Sequence, residues 1–244
     1  AWLNEPLTES IDLLVVDEAG QVAPELAVPA FALSKRALVV GDDKQLEPIW
    51  SIPSSSIDYA NAKMSALVSS YDQYRSFANS RRGCVNGNLM VLAQDACRYL
   101  YPASWDSAGS LLTEHRRCAP EIIEYCNRFI YKSLLDVKTK SETSRWPALG
   151  YCHVGGESRK VHGSQCNSIE ARAIASWVQK NEDEITESRQ VALADSLAII
   201  TPFRQQQSEI LRALHEAGVN TKGLVVGTVH SLQGAEKRIV VFSP

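Results

Sequence analysis

Residues 11–21, IDLLVVDEAGQ, constrain the fold more than any other stretch of the chain. The apolar run at 13–16 (LLVV) is long enough for a strand buried on both faces, as in a parallel sheet. It ends in two adjacent carboxylates, Asp17 and Glu18, followed at once by Ala19 and Gly20. In open α/β sheets ligands bind beyond the carboxyl ends of the strands, which is where this pair falls. Two neighbouring carboxylates repel each other unless a cation or a phosphate–metal complex offsets them. The pair therefore reads as Asp17 on the side of a Mg2+ ion and Glu18 as a base that orients and deprotonates water. Taken alone, the same two residues also fit a solvated strand end followed by a turn.

A second segment of the same type follows. Residues 22–33, rich in Ala, Leu and Pro, suit a short helix broken near Pro29, and RALVVG at 36–41 gives another short apolar run. That run stops at Gly41 and continues as DDKQLEP: a glycine turn, then polar groups, then a proline that forbids a simple helix. Gln45 carries both a donor and an acceptor, which suits it to bridge a γ-phosphate and an attacking water. Two parallel-type strands, each ending in the right polar group, favour a nucleotide site far more than either does alone. The fold class expected is α/β, with mainly parallel sheets flanked by helices.

Composition narrows the partners. With 45% apolar and 22% charged residues over 244 positions, the chain is an ordinary globular one with room for one large or two modest cores. A net charge of −3 gives no global attraction for nucleic acid, so any such binding needs a local basic groove. The six cysteines are scattered without a CxxC, which points to reduced thiols of a cytoplasmic or nuclear compartment rather than a disulfide framework. Cys152, His153, His162 and Cys166 match no common zinc-ligand spacing. No apolar run approaches the length that spans a membrane.

In the middle of the chain, SRRGCVNGN at 80–88 places Arg81 and Arg82 in a loop, either over a nucleic-acid groove or as a solvated connector. A helix is expected within 89–100, and a linker at 102–109. Beyond it, Ile122, Ile123, Cys126, Phe129 and Ile130 repeat at helical spacing, with Pro120 where a first turn tolerates it. Arg116 and Arg117 stand just before that helix; an arginine forks onto phosphate oxygens and can stabilise charge developing on a γ-phosphoryl group. Residues 151–154 are a strand candidate, 155–164 a polar connection, and 167–180 an amphipathic helix. SLAIIT at 196–201 forms a further strand, ended by Pro202 and Phe203. Such a lip can take a phosphate on Thr201 and an unstacked base beside Phe203, although Phe203 reads equally well as a core residue. Finally, GLVVGTVHSLQGAEKRIVVF at 223–242 is strand, polar turn, strand. Thr228 and Ser231 can bind a phosphodiester without demanding a base, and Gln233-Gly234 lets the backbone approach a ligand closely. Glu236 can accept from a ribose hydroxyl or hold an arginine.

With these residues in view, VVDEAGQ and VVGDDKQLEP resemble motifs II and III of superfamily 1 helicases, in the branch that contains senataxin and the nonsense-mediated-decay helicase. The stretch around Arg116 is similar to the family's next motif, with Glu114 and His115 where the family has Gln and Tyr. TPF at 201–203 resembles the family's T-P-Y/F-x-x-Q element and GTVHSLQGAE at 227–236 its motif V, and Asn167 with Glu170 its N-x-x-E helix start. The resemblance implies two RecA-like domains that close around ATP–Mg2+ and move single-stranded DNA or RNA. It implies catalytic roles for Glu18, Gln45 and Arg116, and nucleotide or Mg2+ contacts for Asp17, Gln21, Gln233, Gly234 and Glu236. It assigns the nucleic acid to Thr201, Pro202, Phe203, Thr228, His230 and Ser231.

A working NTPase of this type also needs GxxxxGK[ST], whose backbone N–H groups, Lys and hydroxyl cradle the phosphates. No such run occurs in these residues. The resemblance implies that it precedes Ala1, and that the family's last arginine motif follows Pro244. The expectation is thus the latter part of a first RecA-like domain with a helical insertion (1–108) and a truncated second one (109–244). On its own the stretch is expected to hydrolyse little or no ATP. The alternative is a non-catalytic nucleic-acid-binding or scaffold module with a lost ATPase.

Overall fold

The computed structural model describes residues 9–50, 55–100, 108–141, 146–187, 190–232 and 236–244. By its contacts the chain divides into two units, Ala1–Leu149 and Gly150–Pro244.

In the first unit, strand β1 (Leu14–Val16) leads through helix α1 (Pro24–Ala32) to strand β2 (Ala37–Val39), and the two strands pair in parallel with Val15 opposite Leu38. Val16 and Val39 pack with Ala19, Ala27, Phe31 and Leu89 into one core, which places α1 and helix α4 (Leu89–Ala96) on the same face of the pair. The opposite face is open: Val15 is 57% and Leu38 52% exposed. Burial on both faces, expected from the apolar run, is therefore not found, because the covering helices lie on one side only. Helix α1 runs unbroken through Pro29. The missing N–H removes one hydrogen bond, and anchoring of Ala27 and Phe31 in the core outweighs it. Helices α2 (Ser55–Met64) and α3 (Tyr71–Asn79) form a second small core in which Tyr59, Tyr71 and Tyr74 contact one another ring to ring. Further on, the two-residue strands β3 (Glu114–His115) and β4 (Asp136–Val137) pair in parallel around helix α5 (Pro120–Phe129).

The second unit opens with an antiparallel hairpin, β5 (Arg159–Val161) and β6 (Ser164–Cys166), turning at His162-Gly163 with positive φ at both residues. This corrects the expectation of a strand at 151–154 and a connection at 155–164. Tyr151 is fully exposed with no strand beside it, whereas the two-residue turn pairs its own polar flanks. Helix α6 (Ser168–Ile185), the short α7 (Leu193–Ser196) and helix α8 (Arg204–Glu216) accompany a parallel sheet of β7 (Leu197–Ile200), β8 (Val225–Gly227) and β9 (Ile239–Phe242), in the order β8-β7-β9. The central β7 is buried at every residue, and Ala175 and Val178 of α6 and Ile210 and Leu214 of α8 are buried as well. This is the α/β, mainly parallel architecture expected for RecA-like domains.

Among the described residues, no helix is long and apolar enough to cross a membrane. The six cysteines are all free.

Candidate functional site

Where β1 ends, the chain turns sharply. Asp17 Oδ1 accepts the N–H of Glu18 at 2.9 Å, and Glu18 sits at φ 53°, ψ 38°, in the left-handed region. A side-chain-bearing residue there costs about 1–2 kcal/mol and persists only where its surroundings hold it. The hold comes from both sides. Ala19 N–H donates to Val40 O at 2.9 Å, Val40 N–H donates to Val16 O at 2.8 Å, and Gln21 Nε2 donates to Glu18 Oε2 at 3.2 Å. Both carboxylates face solvent at the carboxyl end of the pair.

The end of β2 lies directly against this turn. A Cβ on Gly41 would stand 2.7 Å from Ala19 N, and one on Gly20 would stand 2.4 Å from Asp42 O. Only glycines let the two loops cross here. Asp42 then becomes a hub: its Oδ1 accepts the N–H of Lys44 at 2.9 Å, and its Oδ2 accepts from Gln45 Nε2 at 2.9 Å and from the Tyr131 hydroxyl at 2.6 Å. Burial, reinforced by the Asp42 carboxylate, holds the Tyr131 phenol well above its ordinary range. Asp17, Glu18, Gln21 and Gln45 are thus brought to adjoining turns at one end of one strand pair. Asp42 and Tyr131 escaped the sequence reading; the first carboxylate after the strand-ending glycine was the available signal for Asp42.

Asp17 offers one carboxylate, with one oxygen on its own turn. Among the described residues, no group of three His, Cys, Asp or Glu side chains is placed to hold a metal, Cys152, His153, His162 and Cys166 included. A single exposed carboxylate fits Mg2+, which keeps most of its waters and takes other ligands from phosphates.

Arg116 precedes α5 and is forked onto its neighbour: Nη2 lies 2.7 Å and Nε 3.1 Å from Glu114 Oε2, with both side chains more than half exposed. His115 turns inward, its Nε2 accepting the Cys118 N–H at 3.1 Å. The basic loop is committed elsewhere. Arg81 pairs with Glu47 at 2.6 Å, and Arg82 with Asp95 at 2.5 Å, which holds the Asp95 carboxyl below its ordinary range.

In the second unit Thr201 is fully buried; its N–H donates to Gly227 O at 2.9 Å and its Oγ1 accepts from Phe203 N–H at 3.3 Å. Pro202 is exposed, while half-buried Phe203 lines a cavity of about 160 Å³ with Gly156, Ser158, Gln165 and Asn167. Beneath it, buried Gln206 accepts the Asn167 N–H at 2.7 Å and donates to Ser243 Oγ at 3.1 Å; that hydroxyl donates to Glu170 at 2.6 Å. Thr228 is half-buried. His230 and Ser231 are exposed on the 3₁₀ turn Val229–Leu232, where Ser231 Oγ donates to Thr228 O at 2.5 Å. Gln233 and Gly234 lie outside the described residues, and Glu236 is exposed.

Comparison with known proteins adds to this geometry. Two family models, each described as an AAA domain, match residues 94–244 and 4–51. The chain is similar to human 3'-5' exoribonuclease HELZ2, 27% identical over 94% of this chain and 7% of that protein. It is 24% identical to mouse probable helicase senataxin over 94% of this chain and 8% of the relative. An ATP-dependent helicase of Mycoplasma genitalium, MG140, is 24% identical over 95% of the chain and 20% of its own length. The chain therefore spans at most a fifth of the length of these relatives.

Proposed function

We propose a function from one premise: this chain belongs to the AAA-domain family, in its senataxin-like superfamily 1 helicase branch. The full-length protein that carries it is an ATP-dependent helicase or translocase acting on single-stranded DNA or RNA, in the cytoplasm or the nucleus. The observation that supports this best is the pair of parallel strand ends that deliver Asp17-Glu18 and Asp42–Gln45 to adjoining turns, locked together at Gly20 and Gly41.

In this reading Glu18 orients the attacking water and takes its proton, from a backbone geometry fixed before substrate arrives. Gln45 bridges that water and the γ-phosphate, while Gln21, Gln233, Gly234 and Glu236 contact the nucleotide. Asp17 is the side chain that would hold Mg2+, which when bound neutralises charge developing on the transferred phosphoryl group. Arg116 supplies positive charge to the same group. Its present pairing with Glu114 is solvent-exposed and is worth about 0–1 kcal/mol, so exchanging it for a phosphate is cheap. In the second unit, Thr228, His230 and Ser231, with Pro202 and Phe203 at the lip and the Thr201 hydroxyl accepting the Phe203 N–H, grip the strand.

The test is Glu18→Gln in the full-length protein. Loss of a general base lowers turnover by about 100-fold or more, while ATP binding is expected to persist. Undiminished steady-state hydrolysis would remove Glu18 from that role. If the unaltered protein binds single strands with a steep salt dependence yet hydrolyses no ATP, it is a binding module without an ATPase.

A further inference from the structure

The carboxylate of Asp42 is where distant parts of the first unit meet. One of its oxygens accepts from both Gln45 and Tyr131, the latter 89 positions from Asp42. The Tyr131 ring is held from its own side as well. Its N–H donates to Cys126 O at 3.0 Å, and Asn127, on the last turn of α5, exchanges two hydrogen bonds with Leu135 at 3.0 and 2.9 Å. Between them Lys132 and Ser133 take consecutive positive φ values of 52° and 60°. Two side-chain-bearing residues in the left-handed region are retained only where surrounding structure over-determines the turn. The hydroxyl is therefore presented to Asp42 by a rigid mount. Beyond Asp42 the close approach continues: a Cβ on Gly20, two residues from Glu18, would stand 2.4 Å from the Asp42 carbonyl oxygen.

We propose that Tyr131 is a positioning residue for Gln45: by donating to Asp42 Oδ2 it fixes the carboxylate that holds the Gln45 amide. The proposal rests on the reading of Gln45 as the group that bridges water and γ-phosphate. A charge-assisted O–H···O⁻ bond of this kind is among the stronger ones a side chain makes, and it is directional. Without it, the Asp42 carboxylate is held through Lys44 and Gln45 of its own turn, and the Gln45 side chain loses the reference that Tyr131 supplies from outside that turn. Tyr131 touches no reacting atom in this scheme. Its removal should lower turnover and leave the affinity for ATP nearly as it was.

Tyr131→Phe keeps the ring and deletes only the hydroxyl. In the full-length protein, amide hydrogen exchange over residues 42–46 is expected to rise several-fold, with exchange over Leu197–Ile200 unchanged as an internal reference. The kcat for ATP is expected to fall about tenfold with KM within twofold, and the same substitution in a Gln45→Ala background is expected to cost nothing further. Unchanged exchange over 42–46 would overturn the proposal. So would a loss of turnover that is equally large with and without Gln45, because a purely structural role predicts that result. If Gln45→Ala alone hydrolyses ATP at the normal rate, the assignment of Gln45 is what fails, and the exchange arm still decides whether Tyr131 fixes the turn. Should Tyr131→Phe not fold, Asp42→Asn is read from the other side. It weakens the same bond, and faster exchange over 127–135 is expected; no change there refutes the link.

Discussion

At Gly41 two backbones pass each other with no room for a methyl group. A Cβ there would meet Ala19 N at 2.7 Å and Gly20 N at 3.0 Å; both are main-chain atoms, and the Ala19 N–H is fixed by its bond to Val40 O. Gly41→Ala must therefore push the Asp17–Gln21 turn away from β2, at a cost of about 1–3 kcal/mol typical of overpacking. Urea unfolding followed on the first unit should show a lower midpoint. Gly155→Ala, in the second unit, where nothing lies within 4 Å of the added carbon, should change little in the midpoint of its own unit. A first-unit midpoint unchanged by Gly41→Ala would mean that the crossing yields freely. The same scale shows what residue type alone left open. Arg81 and Arg82 looked available for a phosphate backbone, yet each has an acidic partner, Glu47 and Asp95, 34 and 13 positions away. Such pairings depend on how helices pack, and no local pattern announces them.

Helix α6 shows how far an element can be read from its sequence. Asn167 caps it, Oδ1 accepting the N–H groups of Ile169 and Glu170 at 3.1 and 3.2 Å, as an Asn before an amphipathic run would suggest. Asn167→Ala should cost about 1 kcal/mol and lower the thermal midpoint of Gly150–Pro244. No shift in that midpoint would mean that the Gln206 bond to the Asn167 backbone holds the helix start unaided. The strands β1, β2, β7, β8 and β9 were legible for a related reason: each is an apolar run that ends in a glycine, hydroxyl or carboxylate, and parallel pairing favours such runs. The hairpin β5–β6 and the pair β3–β4 were not. Their residues are polar and their stability comes from a two-residue turn or from helix α5 between them, neither of which leaves a hydrophobic period. The candidate site divides the same way. Asp17, Glu18 and Gln45 follow from strand ends, whereas the Asp42–Tyr131 bond and the Gln206–Ser243–Glu170 chain join elements far apart in sequence.

Among the described residues, the phenols and thiols that burial holds above their ordinary ranges lie in one of the two units. Tyr74 and Cys84 both lie in Ala1–Leu149. Burial, with help from a 3.0 Å bond to Asp58, pushes the Tyr74 phenol from 10.0 up to about 12. Burial and the nearby Glu25 charge push the Cys84 thiol from 9.0 up to about 11. Each group binds its proton more tightly folded than unfolded, so the unfolded chain gives up protons first as pH rises, and stability falls. The contribution of Cys84 is intact below pH 9 and is lost by about pH 11; that of Tyr74 is intact below pH 10 and is lost by about pH 12. Pulse proteolysis in urea, with the products identified by mass, reads the two units separately. The urea midpoint of the first unit should decline from pH 9 upward, and Tyr74→Phe should flatten its decline above pH 10 while leaving the curve for Gly150–Pro244 as it was. The Asp58 carboxylate loses its donor in that variant, so its midpoint near neutrality should be lower even as its alkaline slope is shallower. A slope unchanged by Tyr74→Phe would place the alkaline loss in groups other than the buried phenol.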